Sequence, residues 1–349
     1  MTETTGKEPL EGEMGQPEAN KKVAAMVSGK LGIANITVVG VGGGGSSTIA
    51  RLMQQNAPGV NFVCVNTDIK ALHSVHGEGL IIVPIGESIT HGFGAGGKPE
   101  VGEEAAVTGR AALAQVLSGS DIVFICTGLG GGTGTGAAPV VAEVAKRVGA
   151  LVIGMATLPF SWEGHKRMET ALSGLKKMKE NVDNIILVHN DRLGALASGE
   201  TAMPEVFKIA DSVVAEGILV VAEIVNVPGD INVDLADIRS VMSLKGEALM
   251  AIGTSEGPLG AQEAAEKAIK NPLLDISING AKGVLFTVKS GPKLSLGQVN
   301  AAGKLISSAV DPDAMIFFGM QTVPEMGDQV KVTLIATGIP EPSGKPAPK

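Results

Sequence analysis

Three glycine-rich stretches limit what this chain can fold into more than any other feature of its sequence. Gly40-Val41-Gly42-Gly43-Gly44-Gly45-Ser46-Ser47 follows the apolar run ITVVG and opens a helical stretch. Gly128-Leu129-Gly130-Gly131-Gly132-Thr133-Gly134-Thr135-Gly136 follows DIVFICT, and Gly92-Phe93-Gly94-Ala95-Gly96-Gly97 makes a third. In an open α/β sheet such loops bring bare backbone amides and a helix N-terminus to the carboxyl end of a strand, where an anion is favoured. Glycine supplies 48 of the 349 residues, roughly twice the usual share, and backbone without side chains is backbone that something approaches closely. Taken alone, Gly40-x-Gly42-x-x-Gly45 also satisfies a dinucleotide fingerprint. Two strand-to-helix loops and a third can instead converge on one polyphosphate. No G-x4-G-K-[ST] is present, so the phosphate charge would be met by amides, hydroxyls and a metal ion.

From Ile36 onward, apolar strands alternate with helical stretches. The order is ITVVG, a helix from about Thr48 to Asn56, NFVCVN, GLIIVP, a helix from Glu103 to Leu117, DIVFICTG, a helix from Pro139 to Val148, ALVIGMAT and NIILVHN. Strands apolar throughout and separated by helices predict a parallel sheet covered on both faces, that is, a Rossmann-like, doubly wound α/β domain. A long helix follows. Pro204 suits its first turn, and Val206, Ala210, Val213, Val214, Gly217, Ile218, Val221, Ala222 and Val225 recur at helical spacing until Pro228-Gly229. Being apolar nearly all round, it belongs between two domains. Ser243 to Ile339 predicts a smaller α+β domain. The expected domains are a tail over 1–30, an α/β domain over 31–200, the central helix over 201–228, the C-terminal part over 229–339 and a tail over 340–349, both tails disordered by composition.

The charge balance of −8 and the scarcity of aromatics, eight Phe and one Trp without Tyr, give no basic stripe or stacking platform, so nucleic acid is not an expected partner. Cys64 and Cys126 sit in strand-like runs and read as core residues. Neither a signal peptide nor a run of about 18 apolar residues is present, so a cytoplasmic protein without membrane insertion is expected. The five histidines show no ligand spacing, and no metal-ligating side chains are assigned.

GGGTGTG together with PFSWEGHKRM, HND and NVDLADIRSVM resembles the tubulin/FtsZ superfamily of GTPases, its bacterial cell-division branch in particular, from about Ile36 to Ile339. The resemblance implies GTP/GDP as ligand, with Mg²⁺ bound mainly through the phosphates, and self-assembly head to tail into protofilaments of the cell-division ring. It places Gly43, Gly44, Gly45, Ser46 and Ser47 in the first phosphate loop, Ala95, Gly96 and Gly97 on the γ-phosphate side, and Gly132, Thr133 and Gly134 in the second loop. Glu163 and Arg167 would contact ribose and nucleotide, and Asn190, Phe207 and Asp211 would hold the guanine. The chemistry of the last three suits that role: a carboxylate accepts from guanine N1–H and N2–H, an amide serves the purine edge, and a ring stacks on its face. Without the family they read as a turn residue, helix core and a solvated face.

The resemblance makes Asn232, Asp234 and Asp237 a catalytic loop that orients the attacking water. Residue chemistry alone leaves another reading open, with Asn232 as a helix cap and the two aspartates as first-turn acids. About 16 residues of helix, ~24 Å, separate Asp211 from this loop, so the acids of one molecule are expected to complete the site of the next. Departures accompany the match: Ser46 and Ser47 stand where a Gly and an Asn are usual, Lys98 replaces an Asn and is expected to face solvent, and the chain stops at Lys349 without the family's terminal adaptor peptide. Division-site proteins therefore stay open as partners. A GTP-binding filament protein with little hydrolysis and, more remotely, a dinucleotide-dependent oxidoreductase are the competing readings.

Overall fold

The computed structural model describes residues 33–55, 57, 59–195, 201–271 and 277–340; both expected tails lie almost wholly outside these residues. The chain runs β1 (Ile36–Val41), α1 (Gly42–Leu52), β2 (Val60–Asn66), α2 (Ile69–His73), β3 (Ile81–Pro84), α3 (Glu87–Thr90), α4 (Pro99–Thr108), α5 (Arg110–Leu117), β4 (Ile122–Gly128), α6 (Thr133–Arg147), β5 (Leu151–Leu158), α7 (His165–Asn181) and β6 (Asn184–His189). It continues with α8 (Met203–Asn226), α9 (Leu235–Met242), β7 (Glu247–Glu256), α10 (Gly260–Ile269), β8 (Gly283–Ser290), α11 (Leu296–Ser308), β9 (Met315–Thr322) and β10 (Gln329–Ile339).

The strands form one sheet in the order β3-β2-β1-β4-β5-β6-β7-β10-β8-β9. Its first six strands are parallel. The C-terminal part is mixed, with β10 antiparallel to β7 and β8, and β9 parallel to β8. The α+β region expected from sequence is thus present, but it continues the first sheet through a single pair, Ile186 with Ala248. Alternate side chains explain why the strands read as apolar throughout: Val38, Phe124 and Met155 pack towards α8, whereas Val39, Ile125 and Val152 pack in the layer of α4 to α7. The C-terminal sheet has its own core around Val284, Val332 and Leu334 under α10 and α11.

Helix α8 buries Val206, Ala210, Val214, Ile218, Val221 and Ala222, as its pattern predicts. Its 24 residues span ~36 Å. Gly217 sits where a Cβ would lie 2.5 Å from Met250 Sδ and 3.1 Å from Met155 Cε, so a side chain there would have to displace the flexible ends of both methionines. Half-buried pairs of Lys331 with Glu216 and of Lys289 with Glu223 fasten the helix to the C-terminal strands. At its end Asn226 Oδ1 accepts from Ala34 N–H at 2.9 Å. Among the described residues no helix is long and apolar enough to cross a membrane.

Several elements differ from expectation; among them α1 ends at Leu52, not near Asn56, and α2, α3 and β7 were not expected. Helices α1 and α6 begin at Gly42 and Thr133, not near Thr48 and Pro139, because the glycines themselves form the first turns. The single helix expected over Glu103–Leu117 is two helices starting at Pro99 and breaking at Gly109. Between ALVIGMAT and NIILVHN stands the unexpected α7, whose Lys/Glu-rich sequence buries only Ala171, Gly174, Leu175 and Met178.

Candidate functional site

Helices α1 and α6 follow β1 and β4, which are neighbours in the sheet, so their N-termini emerge side by side. Both lack a side-chain cap, and neither has an acid in its first turn. Their leading N–H groups therefore have no internal partner and carry the positive end of the helix dipole. The packing beneath is close: a Cβ on Gly45 would stand 2.2 Å from Cys126 O, and one on Gly134 would stand 2.6 Å from Gly128 O. At Gly43, by contrast, a Cβ would have no neighbour within 4 Å. Some loop glycines thus let the two turns approach each other, and others leave the backbone open.

What the turns enclose is a cavity of ≈ 390 Å³. Gly43, Gly44, Ser47, Gly132, Thr133, Gly134, Glu163, Arg167, Asn190, Phe207 and Asp211 line it, so eleven of the residues named from sequence meet in one place. Gly45 and Ser46 lie behind the wall. Ser46 is buried and its hydroxyl donates to Gly42 O at 2.8 Å; Ser47 donates to Gly43 O at 3.2 Å from the cavity side. The third loop is a series of left-handed turns, with positive φ at His91, Gly92, Gly94, Gly96 and Gly97. It abuts the second loop rather than lining the cavity, since a Cβ on Gly132 would lie 2.8 Å from Ala95 Cβ and 2.9 Å from Lys98 N. The side chain of Lys98 is exposed.

At the mouth of the cavity Glu163 accepts from Phe160 N–H at 2.8 Å and pairs with Arg167 at 3.1 Å. Phe160 meets Phe207 edge-on at 5.8 Å and stacks on Trp162 at 5.3 Å. Asn190 Oδ1, also in the lining, is buried and has no hydrogen-bond partner among the described residues. Asp211 lines the same cavity; its side chain, 16% exposed, accepts from the Thr48 hydroxyl at 3.0 Å. Burial pushes its carboxyl above the usual carboxylate range, while Thr48 and Arg51 pull it back. An orphaned amide oxygen and a buried acceptor at one end, with open amides at the other, fit a purine nucleotide whose phosphates lie on the helix N-termini. Sequence reasoning missed Thr48, Thr127 and Thr157 in the lining; only the spacing of Thr48, one helical turn after Gly44, could have signalled it. Cys64 and Cys126 are core residues, and burial holds the Cys64 thiol up at about 11.

Asn232, Asp234 and Asp237 do not line this cavity. They follow the far end of α8, where residues 229–231 pair with β9: Asp230 N–H and Ile231 N–H donate to Met320 O. Asp234 is the cap of α9, accepting from Asp237 N–H at 2.8 Å, and Asp237 returns a weaker bond to Asp234 N–H at 3.4 Å. Asn232 does not cap α9; its Oδ1 accepts from Gly229 N–H at 2.7 Å.

Comparison with known proteins agrees with this geometry. The Tubulin/FtsZ family GTPase domain matches residues 35–198, and the FtsZ family C-terminal domain matches residues 246–340. The chain belongs to the tubulin/FtsZ family. An FtsZ dimer from M. jannaschii, solved empty, is 38% identical over 93% of this chain and 92% of its own, with a TM-score of 0.82. A point mutant of M. jannaschii FtsZ is likewise 38% identical, covering 92% and 96%, with a TM-score of 0.84. CetZ2 from Haloferax volcanii, solved as a GTPγS-bound protofilament, shares the fold at 21% identity over 88% and 94%, with a TM-score of 0.75. The chain is a GTPase of the tubulin/FtsZ type, and the cavity at its two uncapped helices lies within the matched GTPase domain.

Proposed function

We propose that the protein is a GTP-dependent polymerising GTPase whose subunits assemble head to tail, each nucleotide being hydrolysed at the joint with the next subunit, as part of the cell-division ring in the cytoplasm. Guanine would sit against Asn190, Phe207 and Asp211, ribose against Glu163 and Arg167, and the phosphates on Gly43, Gly44, Ser47, Gly132, Thr133 and Gly134. Gly45 and Ser46 would hold that wall from behind, and Ala95, Gly96 and Gly97 would close the γ-phosphate side. Mg²⁺ would come with the phosphate oxygens and neutralise part of their charge. Asp234 and Asp237, with Asn232 beside them, would orient a water for attack on the γ-phosphorus; the bond to the β-phosphate oxygen breaks, leaving GDP and phosphate. The domain bounds expected from sequence, 31–200, 201–228 and 229–339, correspond in this reading to nucleotide binding, linkage and the acidic partner face.

One observation carries the reading: the open amides share their cavity with Phe207, Asp211 and Val214 of α8, while the acids lie beyond its other end at Asn226, about 15 residues and ~22 Å of helix from Asp211. A single subunit does not bring both to one phosphate, and a repeated heterologous contact generates an open filament. Phosphate release measured against protein concentration tests it. Turnover is expected to rise more than linearly through the assembly range, in step with light scattering; a strictly proportional rate would refute the shared site. A filament that scatters with GTP yet releases no phosphate would favour the low-hydrolysis reading.

A further inference from the structure

Arg51 took no part in the sequence argument and does not line the cavity. It lies in the last turn of α1, three residues after Thr48, with its side chain 25% exposed and its Nε 3.7 Å from Asp211 Oδ2. That Nε is buried and makes no hydrogen bond. The Asp211 carboxylate is thereby met from one helix on both oxygens, by the Thr48 hydroxyl on Oδ1 and by the Arg51 guanidinium on Oδ2. Among the described residues, the other groups around it supply no compensating charge. Cys126 on β4 is a buried neutral thiol, its pKa pushed up by burial and by Asp211 itself. Glu163 and Arg167 across the cavity pair with each other, and Lys208, one turn earlier on α8, pairs with Glu205 at 2.9 Å.

The protonation state of such a group decides which base edge it matches. An ionised carboxylate offers two acceptors, complementary to the N1–H and N2–H donors of guanine. A protonated carboxyl offers one donor and one acceptor, complementary to the N1 acceptor and N6–H donor of adenine. Burial favours the protonated form, and an adjacent guanidinium, charged at every relevant pH, opposes it.

We propose that Arg51 is a positioning residue that determines base specificity, holding Asp211 as a two-acceptor anion so that the pocket takes guanine and rejects adenine. This rests on the reading of Asp211 as the guanine contact. Arg51 acts through Asp211 and touches no part of the nucleotide. Removing its charge releases the carboxyl to the pull of burial, so guanine affinity becomes dependent on pH where the native pocket is indifferent. The sign is set: affinity for GDP falls as pH falls, and affinity for ADP rises over the same interval.

The test is direct binding of GDP and ADP to the full chain by calorimetry between pH 6 and pH 8, for the native protein, Arg51→Met, Arg51→Lys and Asp211→Asn. In Arg51→Met, GDP affinity is expected to drop about tenfold per pH unit below the new Asp211 pKa, with the GDP-to-ADP preference shrinking in parallel. Arg51→Lys keeps a charge and restores a flat profile. A loss equal at every pH, with the preference for GDP intact and no rescue by Lys, would mean that Arg51 only braces α1, and would overturn the proposal. Arg51→Met binding like the native protein while Asp211→Asn fails to bind would overturn it too, leaving the Asp211 assignment standing. Should Asp211→Asn itself bind GDP normally, the guanine assignment falls and this proposal with it.

Discussion

The N-termini of α1 and α6 and the N-terminus of α9 are the same structural element put to opposite use. The first two are uncapped, glycine-built and free of acids in their first turns. The third is closed by a reciprocal box, Asp234 to Asp237 N–H and Asp237 to Asp234 N–H. An open terminus presents donors and partial positive charge and waits for an anion; a terminus closed by its own carboxylates has its amides satisfied and presents negative charge instead. Placing the two kinds at opposite ends of one rigid helix gives each subunit one anion-accepting end and one acidic end. In the function proposed above, such a unit would complement a copy of itself but not its own other end.

The sharpest way to break this contrast is to remove charge from the acidic end. Asp237→Ala is expected to cut assembled GTP turnover by about 100-fold or more, the scale seen on losing one transition-state partner, while GDP affinity stays within about twofold. A parallel loss of nucleotide binding would show that the ends are not separate. The converse change adds charge to the open end: Gly43→Asp, where a Cβ meets nothing within 4 Å, should fold normally yet lose GDP affinity by about 100-fold through like-charge repulsion. Equilibrium titration with a fluorescent GDP analogue checks it, and unchanged affinity would place the phosphates elsewhere.

Smaller effects sharpen the structural side. Asp234→Ala removes a helix cap and should lower stability by about 1 kcal/mol in urea; no change would mean the cap contributes nothing. Asp211 has its carboxyl raised by burial, so its neutral form is favoured on folding, and its contribution to stability is lost as pH rises through the raised pKa. Asp211→Asn should therefore melt higher than the native nucleotide-free protein at pH 7.5 and at nearly the same temperature near pH 4. The smallest expected signal comes from Trp162, 68% exposed and stacked on Phe160. Its fluorescence should change by some tens of per cent at most when GDP orders Phe207, and a spectrum unmoved at saturation would unlink this aromatic chain from the base.

The parts of this molecule legible in its sequence are those governed by local pattern. Strands buried on both faces announce themselves as unbroken apolar runs, and α8 shows its helical period over Val206 to Val225. The starts of α1 and α6 were not legible, because glycine is a poor helix former by propensity and only the packing of Gly45 against Cys126 and of Gly134 against Gly128 reveals why those turns close into helix. The cap itself is misread from sequence: the residue types suggest Asn232 as cap with Asp234 and Asp237 as first-turn acids, whereas Asp234 is the cap and Asp237 its partner at the third helical position, and residue types alone did not choose between a cap and a catalytic loop. Arg51 was invisible for a different reason: its partner lies 160 positions further along the chain, and no local spacing encodes such a pairing.

The contact at the middle of α8 ties three distant positions to a common fate. With Met250 Sδ and Met155 Cε already within 2.5 Å and 3.1 Å of the place a Cβ would occupy on Gly217, enlarging residue 217 means either swinging the flexible ends of both methionines aside or shortening one of them. A substitution at any of positions 155, 217 and 250 should therefore be felt at the other two.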